Sequence, residues 1–155
     1  MNRYKKYGFS RVYSIDHLNQ LPVDPRKSSM SFILNIMPST VKFGHWVAIY
    51  MTKQNLEYYD PLAQEPSPAF LHQIKPILDK WNADNALQFK VNKIRFQRTN
   101  SNNCGYFSIK FLVDRYNKLP FKECTGYTKL VESIKGEREI KKFKKQFHLP
   151  DFKSI

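Results

Sequence analysis

Four polar residues have types and positions that could do chemistry: His45, Asp60, Gln97 and Cys104. Cys104 follows a run of small polar residues, Thr99 to Asn103, and precedes a strongly apolar segment of helical pattern. That places it at or just before a helix N-terminus. There, unpaired backbone N–H groups and the positive dipole end favour a thiolate over a thiol, and a thiolate so placed is a nucleophile. Taken alone, a single cysteine is more often a small buried hydrophobe closing a loop. The other three residues tip the balance. Together the four can divide the roles of nucleophilic acyl transfer. Cys104 attacks a carbonyl, His45 takes and returns the proton, and Asp60 orients the imidazole and stabilises its cation. The Gln97 side-chain amide, with the backbone N–H of Cys104, can stabilise the tetrahedral oxyanion, a donor whose loss raises the barrier by ~3 kcal/mol.

Positioning these groups requires particular elements. Residues 44–51 and 56–60 read as two β-rich runs joined by a polar turn, Thr52 to Asn55, and stopped by Pro61. A loop with an even number of residues pairs Leu56 with Met51 and Asp60 with Val47. His45 then shares a face with Asp60, one diagonal away. An odd loop puts the two on opposite faces, and Asp60 before proline also reads as a plain turn residue. Residues 31–37 form a further buried strand. Residues 67–81 read as a helix with apolar Phe70, Leu71, Ile74, Ile77, Leu78 and Trp81, Ser67 as cap and Pro68 at the first helical position. Pro76 should kink or split it. Residues 89–96 read as a strand ending at Gln97, after a turn at 82–85. A helix from Cys104 to about Asn117 is apolar over most of its circumference and should be central and buried. Residues 1–28 read as a turn-rich loop region with a short helical turn at 14–18, capped by Ser14. His17 there carries no chemistry, and His72 lies off the apolar stripe of its helix. Residues 121–134 are mixed, with a turn at Thr125-Gly126. A last helix at roughly 137–147 within a basic C-terminal segment, 135–155, carries Ile140, Phe143 and Phe147 on one stripe and Lys141, Lys142, Lys144 and Lys145 mostly elsewhere.

At 155 residues, 41% apolar and 15% aromatic, the chain is expected to be one folded α+β domain spanning 1–155. No apolar run reaches membrane-spanning length and the N-terminus lacks a signal-peptide core, so neither secretion nor membrane insertion is expected. Two cysteines make neither a disulfide framework nor a zinc site, and no metal is expected. The formal charge of +13, from 26 Lys+Arg against 13 Asp+Glu, favours polyanions, nucleic acid first. No helix-turn-helix, zinc-finger or RNP-like motif is present, so any such contact is with backbone. A merely solvated basic surface remains the other reading of the charge.

The sequence resembles the adenovirus-type maturation protease, within the wider group that holds the SUMO and ubiquitin-like-protein proteases. The resemblance is carried by Gly44-His45-Trp46, by Asp60 at a strand end, and by Gln97 to Phe107 as Q-x-x-N-S-x-x-C-G-x-F. It covers about residues 8–130. The order His, acid, Gln, Cys is the group's order, and Gln97 stands seven positions before Cys104 with Asn100-Ser101 between them, as in the adenovirus branch. Asp60 departs from that branch, which uses Glu, and agrees with the SUMO proteases. The resemblance implies a papain-related cysteine protease fold, with a central mixed sheet packed against a buried helix that starts at the catalytic cysteine. It implies His45, Asp60, Gln97 and Cys104 as catalytic residues, and substrate binding by Gly44, Trp46 and Asn103, with Trp46 lining a tunnel for small side chains. Cleavage of viral capsid or core precursor proteins after Gly-Gly or Gly-X-Gly sequences is the implied activity. The implied location is the virion and the nucleus or cytoplasmic virus factory of an infected cell. DNA is implied as an activator. Cys124 does not match the cysteine that links the family's peptide cofactor, so a disulfide-linked peptide is not expected. The protein is expected to act as a monomer. Two rival readings stay open: an isopeptidase removing ubiquitin-like modifiers, and a catalytically dead, basic DNA-packaging protein.

Overall fold

The computed structural model describes residues 9–42, 44–82, 87–95, 97, 102–125 and 133–146. Five strands form one mixed sheet in chain order: β1 (Phe9–Ser14), β2 (Ser29–Asn35), β3 (Trp46–Thr52), β4 (Asn55–Tyr59) and β5 (Gln88–Val91). β1 runs parallel to β2, β2–β3–β4 is an antiparallel meander, and β5 is parallel to β4. Four helices accompany it: α1 (Pro68–Trp81), α2 (Cys104–Tyr116), α3 (Phe121–Cys124) and α4 (Ser133–Gln146), with a 3-10 helix at Ile15–Gln20.

The period-two alternation of side chains along the strands divides the core into two layers. Phe32, Leu34, Val47, Ile49, Met51, Leu56 and Tyr58 face α1 and the 3-10 helix, meeting Leu18, Phe70, Ile74, Ile77 and Trp81. Ile33, Ala48 and Tyr59 face the other way, toward Phe107, Phe111 and Leu112 of α2 and Ile140 and Phe143 of α4. Helices therefore cover both faces, which is why β2 and β3 read as nearly unbroken apolar runs. Tyr59 stacks on Phe111 at 4.6 Å between ring centroids, tying the end of β4 to the middle of α2. Among the described residues no helix is long and apolar enough to cross a membrane.

The hairpin register is the even-loop one: Met51 pairs with Leu56 and Ala48 with Tyr59. α2 is the central buried helix expected, with Phe107, Phe111 and Leu112 almost wholly enclosed.

Six expectations need correction. The first 28 residues contain an edge strand, β1, whose three polar residues, Ser10, Arg11 and Ser14, hid it in the sequence; its pairing with β2 is irregular between Phe9 and Val12. Ser14 stands at the N-cap of the 3-10 helix, but its side chain makes no cap hydrogen bond. Pro76 does not split α1, which continues to Trp81 with Ser67 Oγ accepting from Phe70 N–H. Pro76 lies on the exposed side, where a carbonyl left without its helical partner faces water. Leu71 belongs to that outer side too, at 48% exposed. β5 stops at Val91 rather than reaching 96, because Asn92 leaves the ladder to bond Asp60 through its side chain. α4 also begins earlier than expected, at Ser133. Gly126, Phe147 and most of the turn expected at 82–85 lie outside the described residues.

Candidate active site

The antiparallel hairpin and the parallel β5 bring several chain ends to one end of the sheet. His45 immediately precedes β3, Asp60 follows β4, and Asn92 follows β5. Cys104 is the first residue of α2, as expected from the polar-to-apolar switch in the sequence. These three elements carry the groups that meet.

His45 Nε2 lies 2.6 Å from Asp60 Oδ1. The carboxylate is fully buried and the imidazole half-buried, so the pair is shielded from competing water. Asp60 Oδ1 also accepts the Leu62 N–H at 2.7 Å, and Ala63 N–H bonds Asp60 O at 2.8 Å. The turn-forming and histidine-binding readings of Asp60 are thus both realised, on one oxygen. Cys104 lies close enough to His45 for its thiol to act on the proton affinity of the imidazole. With Nε2 engaged by Asp60, Nδ1 is the ring nitrogen left for the thiol. Burial alone would lower the imidazole pKa, but the hydrogen bonds to Asp60 and Cys104, and their negative charge, push it up to about 9. At neutral pH the raised pKa favours the protonated form of the ring, which lies between Asp60 and Cys104. It is poised to stabilise a thiolate and to give a proton away.

Gln97 is buried, and its backbone N–H bonds Pro61 O at 3.0 Å, one residue beyond Asp60. This ties the strand-end acid to Gln97. Trp46 is anchored from α2: Ser108 Oγ donates to Trp46 O at 3.0 Å, and the indole lies against Gly105. Gly44 packs on the Asn35 side chain so closely that a β-carbon would overlap its amide, and the carbonyl of His45 accepts the Ile36 N–H at 2.9 Å. The segment before β3 is thereby seated on the end of β2, which fixes where the imidazole starts. The side-chain carbonyl of Asn103 accepts from Lys144 Nζ of α4 at 3.3 Å, and the same ammonium lies 4.6 Å from the centre of the Tyr106 ring.

The structure thus brings together His45, Asp60 and Cys104, places Gln97 and Trp46 on segments bonded to them, and turns the Asn103 side chain toward α4. Three contributors escaped the sequence reading. Asn92 bonds both main-chain groups of Asp60. Ser108 had a visible signal, being one helical turn after Cys104 on the same face. Lys144 was hidden among its neighbouring lysines, and only 8% of it is exposed. His72 is exposed, as expected, and so is His17. Cys124 is buried, and desolvation pushes its thiol up to about 12, with the charge of Asp114 adding to the rise. Among the described residues no group of three or more His, Cys, Asp and Glu is placed to hold a metal ion.

No protein-family model and no curated protein matches the sequence. Solved structures do match. The ASFV pS273R protease superimposes with a TM-score of 0.59 at 20% identity, over 81% of this chain and 45% of that one. ChlaDub1 from Chlamydia trachomatis gives 0.57 at 18% identity, over 78% of this chain and 61% of that one. The C-terminal Ulp1 protease domain, solved in complex with Smt3, the yeast orthologue of SUMO, gives 0.52 at 10% identity, over 89% and 73%. The chain spans less than half the length of the pS273R structures it matches. Identities this low speak for architecture alone, and on architecture the three agree: the chain has the fold of the SUMO-protease-like cysteine proteases.

Proposed function

We propose that the protein is a cysteine endopeptidase in which Cys104 is the nucleophile, His45 the acid and base, Asp60 the orienting carboxylate and Gln97 an oxyanion donor. The observation that carries this reading is the His45 imidazole shared between buried Asp60 and Cys104 at the start of a buried helix. The Cys104 thiolate adds to the scissile carbonyl, and the oxyanion is met by the Cys104 N–H and the Gln97 amide. Collapse of the intermediate breaks the C–N bond as imidazolium gives its proton to the leaving amine. A water, deprotonated by His45, then hydrolyses the thioester and restores the pair.

For substrate, Trp46 beside Gly105 supports a narrow approach to Cys104 that suits Gly-Gly or Gly-X-Gly sequences. Cleavage of viral capsid or core precursors is the biological form of this reading, supported by the sequence resemblance and by the fold shared with a viral protease. Non-specific DNA as stimulator is supported by the +13 charge and by exposed Arg138, Lys141, Lys142 and Lys145 on α4. A disulfide-linked peptide activator has no support at Cys124, which is buried.

A second reading, an isopeptidase for ubiquitin-like modifiers, is favoured by the shared fold with the Ulp1 domain that was solved with Smt3. Both readings are tested together. The protein is incubated, with and without DNA, with fluorogenic peptides carrying Gly-Gly, Gly-X-Gly or bulky residues before the cleavage site, and with ubiquitin and SUMO bearing C-terminal electrophiles. Turnover confined to the Gly-rich peptides supports the endopeptidase. Rapid labelling by a modifier probe moves the assignment to the isopeptidase. DNA binding with neither activity supports an inactive packaging protein and sinks both.

A further inference from the structure

β5 leaves the sheet at Val91, and the next residue does not turn to solvent. Asn92 is only 3% exposed. Its side-chain amide takes up both main-chain groups of Asp60: Asp60 N–H donates to Asn92 Oδ1 at 2.9 Å, and Asn92 Nδ2 donates to Asp60 O at 2.6 Å. The Nδ2 group also reaches Ile94 O at 3.4 Å. Parallel pairing of β4 with β5 ends at Tyr58 and Val91. A side chain thus takes over just where the backbone ladder stops.

This brace matters because the Asp60 carboxylate is held from one side only. Oδ1 meets His45 and Leu62 N–H, whereas buried Oδ2 has no hydrogen-bond partner among the described residues. Two rotatable bonds separate the carboxylate from the main chain, so any shift of the Asp60 backbone is transmitted to Oδ1. We propose that Asn92 is a positioning residue for the His45–Asp60 pair: it fixes the Asp60 main chain so that the carboxylate meets Nε2. Its consequence for turnover rests on the cysteine-peptidase reading, whereas its consequence for His45 does not.

The test is Asn92→Leu, which keeps the approximate volume and removes both hydrogen bonds. His45 is titrated by NMR, alongside kcat and KM on a Gly-rich peptide. The groups facing the imidazole are Asp60 and Cys104, with Tyr58 coupled to Asp60; all three stay unchanged. In the unmodified protein the hydrogen bond from Asp60 and the nearby charges push the His45 imidazole up to about 9. In Asn92→Leu the titration should fall toward the ordinary imidazole range, and kcat should drop roughly 100-fold with KM little changed, as expected for a misplaced catalytic group. Ile77→Ala, in the opposite core layer, serves as a destabilised control that should leave the His45 titration in place. If Asn92→Leu does not fold, Asn92→Ser, which cannot span both groups, is read the same way. A His45 titration unmoved in the folded Asn92 variant overturns the proposal. A moved titration in a protein that cleaves no peptide upholds the positioning role and overturns the peptidase reading.

Discussion

Gly105 and Trp46 touch across the active site: a β-carbon at Gly105 would stand 3.3 Å from Cε3 of the indole. The contact is set between the residue after Cys104 and the residue after His45. It has little slack, because Trp46 O is also bonded to Ser108 Oγ from α2. Gly105→Ala should therefore shift the indole or the start of α2 by a few tenths of an ångström. The expected result is loss of peptidase turnover of roughly ten- to a hundredfold, with the protein still folded. Steady-state kinetics and circular dichroism on the same preparation check it.

The pH dependence follows from the imidazole. The His45 pKa is raised from the ordinary 6.5 to about 9. A raised value in the folded state means that its contribution to stability is complete below about pH 6.5 and disappears as pH rises through about 9. The proton needed by the leaving amine disappears over the same range. A plot of kcat/KM against pH should have an alkaline limb near 9, and Asp60→Asn should move that limb toward lower pH. A limb at the same pH in both proteins contradicts the assignment of the limb to the Asp60-supported imidazole.

The two thiols should be distinguishable by chemistry. Cys104 sits at a helix start beside an imidazolium, whereas the Cys124 thiol is buried and pushed up to about 12 by desolvation first and Asp114 second. A low dose of iodoacetamide at pH 7 should alkylate Cys104 alone, as read by peptide mapping. His45→Ala should slow that alkylation markedly.

Behind the site, β4 is locked to α2 by a bidentate pair. Arg115 Nε and Nη2 donate to Glu57 Oε1 and Oε2 at 2.7 and 2.8 Å, the guanidinium also caps Leu119 O at 2.8 Å, and Glu57 is fully buried. Removing one partner strands a buried charge, so Arg115→Met should cost ~3–5 kcal/mol. Adding Glu57→Gln to Arg115→Met should recover part of that loss. Urea unfolding of the single and double variants reads both effects.

The legible parts of the fold were those written in short-range pattern. A polar turn between two β-rich runs narrowed the hairpin to two registers, of which the even-loop one occurs, and the switch from polar to apolar residues at Cys104 marked the start of α2. What stayed hidden depends on neighbours distant in sequence. Asn92 reads as one polar position inside a strand over 89–96 until Asp60, 32 positions earlier, is placed beside it. Lys144 lies in a run of lysines that composition assigns to solvent, yet its ammonium is drawn inward by Asn103 and Tyr106. β1 was missed because half its side chains are polar. Of the kink or split expected at Pro76, the split does not occur, because the proline lies on the side of the helix that meets water.

The most direct test of the central claim is to catch the covalent intermediate. A Gly-rich peptide ester is mixed with the protein, quenched in acid within the first turnovers, and the modified residue is located by mass spectrometry. One acyl group per chain is expected, on Cys104, absent from Cys104→Ala, which should also cleave nothing. An acyl group on another residue, or undiminished cleavage by Cys104→Ala, would contradict it.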